Sequence, residues 1–333
     1  MHNPKPLVSV IIPTFNRPQF LARAVNSALA GMDSKDVEVI VVPNGPDQSW
    51  SKALQPFKNN LAVRVIPMPQ ANGNAARNVG MLNAHGKYIR FLDDDDYLIF
   101  AGCVRQYELL ESDNFDFCSG LLLNIDMENK DLGQVNFPVS RDFVCASLII
   151  SGFTLPIGNV YLRSSLKEAR WNENVVRMQD IIWMIDLAGL REWRWVHLDE
   201  IVGVWFQHDL ARVSSMNFTK DIPFDLVTSI FTLHNLLLEQ NRLLDIRQQV
   251  IVRTLWFFIH TFFPYAPYYW HQVVKQTRKI DKDYKPENII FSHPFLRHLD
   301  PLTVEWMIFL LRRLKNFYIN KKRVALKDYR RIL

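Results

Sequence analysis

Four consecutive aspartates, Asp93 to Asp96, follow the apolar run Tyr88-Ile89-Arg90-Phe91-Leu92. Carboxylates this close raise one another's pKa, and a hard divalent cation relieves the repulsion. In extended chain, alternate side chains share a side, so Asp93 and Asp95 can be aimed together. Magnesium or manganese takes few protein carboxylates and completes its shell with substrate phosphates. A solvated acidic turn or a helix first turn, where Asp is favoured, is the competing reading. Upstream, Arg77 stands in Asn72-Gly73-Asn74-Ala75-Ala76-Arg77-Asn78. It could meet phosphate charge, or it could be an exposed helix arginine. No GxGxxG follows the first apolar run and no GxxxxGK[ST] occurs anywhere. A nucleotide diphosphate would therefore be held by metal and by Arg or Lys, not by a glycine-rich loop.

These side chains need a frame. Val8-Ser9-Val10-Ile11-Ile12 is a short apolar run stopped by Pro13, as expected of a strand buried on both faces. Leu21, Ala24, Val25, Ala28 and Leu29 then recur at helical spacing up to Gly31. A second strand, Val37 to Val42, ends in the turn signal Pro43-Asn44-Gly45-Pro46. A third is expected over Ala62 to Ile66, a helix around Ala75 to Ala84, and a fourth strand at Tyr88 to Leu92. Alternating strands and helices imply a doubly wound α/β fold with a mainly parallel sheet and helices on both faces. Ligands in such sheets bind beyond the carboxyl ends of the strands. Pro13 to Arg17, Pro43 to Gly45 and Asp93 to Asp96 all fall there. From 112 to 208 the signals are mixed, with shorter strands and a helix near Gln179 to Leu190. A boundary is expected near 215 to 220, giving a catalytic domain over 1–215 and a helical region over 216–333.

Three segments carry a resemblance. Val8-Ser9-Val10-Ile11-Ile12-Pro13-Thr14-Phe15-Asn16-Arg17, then Ala76-Arg77-Asn78-Val79-Gly80, then Phe91-Leu92-Asp93-Asp94-Asp95-Asp96 resemble the successive signatures of family 2 glycosyltransferases with the Rossmann-like GT-A fold. The resemblance covers roughly residues 7 to 210. It implies an inverting transfer of a sugar from a nucleotide diphosphate, UDP being the best single guess, with Mn2+ or Mg2+. It implies that Pro13 and Phe15 line the base and ribose pocket, with Arg17 beside them. Arg77 would approach the nucleotide, Asp94 the ribose or sugar, and Asp95 would be the principal metal ligand with Asp93 in support. Asp96 would only cap the following turn. The family's Glu-Asp pair at a helix start is matched by Gln179-Asp180, which makes Asp180 the base. Gly203-Val204-Trp205-Phe206-Gln207-His208 resembles the family's strand before a His, making His208 a further metal ligand or diphosphate contact. Pro156-Ile157-Gly158-Asn159 resembles the acceptor-side segment. One departure stands out. Where the family has an Asp that reads the base, this chain has Pro43, which offers no side-chain hydrogen bond; Asn44 or a backbone group is the substitute.

Composition narrows the remaining classes. The three cysteines, Cys103, Cys118 and Cys145, are scattered without CxxC spacing, which points to a reduced cytosolic compartment. The first residues do not read as a signal peptide. The uncharged stretch Phe143 to Leu162 and the aromatic stretch Thr254 to Trp270 are both interrupted by polar residues or proline and fall short of a membrane span. Nine aromatic residues crowd into Trp256 to Trp270, and nine basic residues stand against one acidic from Arg312 to Leu333. That tail carries +8 of a chain whose net charge is +5, leaving −3 for the rest. Aromatic and basic together suit the cytoplasmic face of an anionic membrane through 312–333, and a lipid-linked saccharide acceptor. A helical core with a solvated basic face is the other reading. No nucleic-acid signature is present. A nucleotidyltransferase would need a Lys-bearing phosphate loop; a non-catalytic sugar- or lipid-binding relative would fit Pro43 and Gln179 but not Asp95 and Asp180.

Overall fold

A computed structural model describes residues 5–135, 137, 140–149, 151–208, 222–288 and 290–314. The chain divides into two compact units, Met1–Ser214 and Ser215–Leu333. The first unit runs β1 (Val8–Thr14), α1 (Pro18–Leu29), β2 (Val37–Pro43), the short α2 (Trp50–Ala53), β3 (Val63–Val65), α3 (Gly73–Leu82) and β4 (Tyr88–Phe91). It continues with β5 (Tyr97–Leu98), α4 (Phe100–Ser112), β6 (Phe117–Ile125), β7 (Asp131–Gln134), α5 (Phe143–Ser147), β8 (Asn159–Leu162), α6 (Gln179–Leu190) and β9 (Trp195–Phe206).

One sheet holds all nine strands in the order β3-β2-β1-β4-β8-β6-β9-β5, with β7 paired to β6. β3, β2, β1 and β4 are parallel neighbours. They are the strands expected from apolar runs, and β1 and β2 are buried at every position. The other half is mixed: β8 runs antiparallel to both β4 and β6, while β6 and β9 pair in parallel. β6 and β9 are the longest strands, nine and twelve residues, where shorter ones were expected. Their ladder is interrupted by register shifts around Leu121, so no single alternating pattern runs through the sequence.

Alternation along β1 explains how both faces are covered. Val8, Val10 and Ile12 join Leu21, Ala24, Val25 and Ala28 of α1 in one core. Ile11 points the other way, toward α3. A Cβ at Gly80 would lie 2.3 Å from Ile11 Cγ2, so only glycine lets α3 approach this closely. The uncharged stretch from Phe143 to Leu162 is used internally, as α5, short 3-10 turns and β8.

The second unit is helical: α7 (Phe224–Glu239), α8 (Asp245–Phe262), α9 (Pro267–Ile280) and α10 (301–314). The aromatic stretch is split between α8 and α9, with Phe258, Phe262, Phe263 and Trp270 buried. Among the described residues no helix is long and apolar enough to cross a membrane. The basic tail beyond residue 314 lies outside the described residues.

Candidate functional site

The carboxyl ends of β1, β2 and β4 meet on one side of the sheet, as the register of the parallel strands requires. After β4 the chain turns sharply, Asp96 N donating to Asp93 O at 3.1 Å. That turn gathers the acids. One carboxylate oxygen from each of Asp93, Asp95 and Asp96 lies within 4.8 Å of the others. Asp96, expected only to cap the turn, is thus part of the cluster, and its Oδ1 also accepts from Phe206 N at 2.9 Å. Asp94 points away. Its carboxylate accepts from Thr14 Oγ1 at 2.7 Å and from Phe15 N at 3.3 Å, tying the turn to the end of β1. Burial pushes the Asp94 carboxyl up to about 7; nearby Arg17 opposes the shift and Asp95 reinforces it.

Cations from four places answer these carboxylates. Arg17 pairs with Asp95 and lies 3.3 Å from Asp94. Its loop turns through Asn16 at φ 54°, a left-handed conformation that Asn tolerates. His208 Nε2 lies 2.9 Å from Asp95 Oδ2, and its ring stacks on Phe20. Arg23 donates to Asp95 O at 2.6 Å while covering the Phe206 ring. Arg77 is not exposed. It is buried, donates to Asp93 Oδ1 at 2.7 Å and to Gln179 Oε1 at 3.2 Å, and stacks over Trp171.

Arg77 therefore links the acidic turn to the start of α6, where Asp180 sits. Met178 precedes α6 at φ 54°, a costly conformation for a side chain of its size, and Gln179 Nε2 holds back to Val175 O at 3.1 Å. The loop before α6 is fastened by asparagines of α3. Asn74 donates to Asn172 O at 2.7 Å; Asn78 donates to Trp171 O and accepts from Trp171 N, both at 2.9 Å. Beneath them Trp171 and Trp183 stack face to face at 4.5 Å, with Phe91 against both edges. Burial pushes the Asp180 carboxyl up to about 7; Arg77 opposes the shift, and Asp93 and Asp95 add to it.

A shallow cleft next to the acidic turn is lined by Thr14, Phe15, Arg17, Pro43, Asp47 and Trp50. Pro13 is not among its lining residues; it is buried within β1, and Thr14 takes that place. Asn44 borders the cleft, but its amide is engaged on both sides: Nδ2 donates to Thr14 O at 2.9 Å and Oδ1 accepts from Asn72 N at 3.0 Å. Asn44 thereby pins the start of α3 to the end of β2. Gly45 beside it has φ 106°, and a Cβ there would lie 2.8 Å from the Phe15 ring. Asp47 and Trp50 were not singled out from sequence. Their signal was an acid and an aromatic four and seven residues after Pro43.

The donor set suits a hard divalent ion. Three carboxylates converge and a ring nitrogen stands beside one of them, a combination fitting Mg2+ or Mn2+ better than softer metals.

Comparison with known proteins bears on the family and the fold. The family model for glycosyl transferase family 2 matches residues 9–169. EpsJ of Bacillus subtilis, an uncharacterized glycosyltransferase, is 40% identical over 114 residues, 33% of this chain and 32% of that protein. The GalNAc(5)-diNAcBac-PP-undecaprenol beta-1,3-glucosyltransferase of Campylobacter jejuni is 28% identical over 189 residues, 54% of this chain and 59% of that protein. The matches to four curated relatives, EpsJ among them, span only 19% to 32% of those proteins' lengths. Among solved structures, S. aureus TarS 1-349 in complex with UDP-GlcNAc superposes with a TM-score of 0.60 at 16% identity, covering 82% of this chain and 81% of that one. The fold is thus shared with a solved GT-A-like protein. Residues 9–169 thus carry the likeness of this chain to glycosyl transferase family 2.

Proposed function

We propose that this protein is an inverting glycosyltransferase that moves a sugar from a nucleotide diphosphate to a saccharide acceptor. The observation that carries the reading is the convergence of Asp93, Asp95 and Asp96 beyond β4, bridged by Arg77 to the helix start that bears Asp180. Phe15, Asp47 and Trp50 border the surface beside Arg17 and are the groups a nucleobase and ribose would meet, with Arg17, now paired with Asp95, facing the phosphate oxygens. A divalent ion held by Asp93, Asp95 and Asp96, with His208 adjacent, would offset the charge of the departing diphosphate.

Asp180 acts as general base. It accepts the proton of an acceptor hydroxyl as that oxygen bonds to the anomeric carbon, while the bond from that carbon to the diphosphate oxygen breaks. Arg77 holds Asp93 and Gln179 in register, so donor and base are positioned by one side chain. UDP is the favoured carrier, supported by the UDP-GlcNAc bound to TarS. A lipid-linked acceptor in surface polysaccharide synthesis is supported by the undecaprenol in the name of the Campylobacter relative. The basic run from Arg312 onward would favour an anionic membrane surface.

The test is a thermal-shift panel of UDP-, GDP- and dTDP-sugars with and without manganese, followed by product detection for Asp180→Asn. Stabilisation by one nucleotide only with metal, and transfer lost in a variant that still binds donor, are the expected results. If no nucleotide binds with metal, the protein is a non-catalytic relative.

A further inference from the structure

Four large apolar side chains on α10 face solvent: Met307 (57% exposed), Leu310 (65%), Leu311 (70%) and Leu314 (68%). They occupy positions i, i+3, i+4 and i+7, so they form one stripe along the helix. The opposite side is firmly packed on its own unit. Leu302 and Glu305 are buried, and Glu305 is fully enclosed between His260 of α8 and Arg312 of α10. Trp306 donates to His271 Nδ1 at 3.2 Å and meets the rings of Phe263 and Tyr268. The helix cannot roll to hide its stripe without breaking that buried ion cluster. Tyr268 extends the apolar surface beside it and is 79% exposed.

The residues next along the chain state what should cover such a stripe. From Arg313 to Leu333 there are eight Lys or Arg side chains and one Asp, a formal charge of +7. Arg312 is spent on Glu305, but Arg313 is exposed at the edge of the stripe. An apolar helical face with flanking cationic residues fits the boundary between anionic headgroups and acyl chains. A second copy of the chain would bring the same +7 against itself.

We infer that α10 is an in-plane membrane anchor, its Met307-Leu310-Leu311-Leu314 face entering an anionic lipid surface. Its biological sense rests on the proposed lipid-linked acceptor. The physical claim is separate, because vesicle binding and metal-dependent nucleotide binding are independent readouts. Failure of one leaves the other standing.

The full chain and Leu310→Glu/Leu311→Glu are sedimented with vesicles of phosphatidylcholine alone or mixed with phosphatidylglycerol. The expected outcome is partition onto the anionic vesicles that weakens with salt and falls about tenfold or more in the double variant, with its thermal melting unchanged. As a check independent of that variant, Met307→Cys carrying an environment-sensitive fluorophore should shift to the blue on adding anionic vesicles only. Equal partition of the two proteins, or no spectral shift, overturns the inference. So does a wild-type dimer that the double variant converts to monomer while neither protein binds vesicles, which would make a second copy the occupant.

Discussion

At the scale of residues, the site is a balance between acids that repel and cations that hold them. Asp180 is pushed up to about 7 by burial, with Asp93 and Asp95 adding to the effect. A base must be ionised, and a carboxyl with a raised pKa loses its charge as pH falls through that value. Transfer should therefore be full above the inflection and fall about tenfold per pH unit below it, as a profile of kcat against pH would register. A divalent ion beside Asp93 and Asp95 removes part of the repulsion, so raising manganese should move the inflection to lower pH. Arg17 offers a second measurement. It pairs with Asp95, the expected metal ligand, so Arg17→Gln should tighten manganese binding to the free protein and weaken nucleotide binding about tenfold, near 1.4 kcal/mol. Calorimetric titration of each ligand checks both signs; if both affinities fall together, Arg17 merely supports the loop. Much of this chemistry was legible from the Asp run and Arg77. Asp96 was misread because its neighbour in space, Phe206 N, comes 110 residues later. Asp47 and Trp50 were missed because an acid and an aromatic at the entry to the short α2 are also common where nothing binds.

Elements were legible in proportion to how local their causes are. β1, β2 and β4 are nearly continuous apolar runs, broken only by Ser9, Glu38 and Arg90, because both faces are covered, and α6 was bounded correctly at Gln179 and Leu190. The mixed half of the sheet was not readable, since β8 is inserted between β4 and β6 and β9 returns to pair with β6 after some seventy residues. Helix α3 is the element with most leverage. Its buried residues Asn74 and Asn78 fasten the loop leading to α6, while Arg77 between them holds the acidic turn. Asn78→Ala would leave the buried Trp171 N–H and C=O without their partner, at a cost of about 1–3 kcal/mol. The expected phenotype is donor binding close to wild type with transfer reduced far more, measured as nucleotide affinity against turnover. Equal loss of both would mean that the loop does not position Asp180.

At the scale of the whole chain, the parallel half of the sheet presents the proposed donor side and the mixed half supplies β9, whose end reaches back to the acids through Phe206 N and His208. Metal and nucleotide together should therefore slow hydrogen exchange at the ends of β1, β2 and β4, at the start of α6 and at the end of β9. Measured by mass spectrometry, protection confined to the β1–β2 side would remove β9 from the site. The cations around the aspartates have a consequence for how the protein comes to exist. A cluster of carboxylates that needed an ion to fold would tie synthesis to metal supply. Here Arg17, Arg23 and Arg77 provide positive charge from within the chain, and His208 Nε2 adds a contact to Asp95. Folding of the newly made polypeptide should therefore not wait on metal supply: its melting temperature, read with chelator present, is expected to stay close to that of the untreated protein.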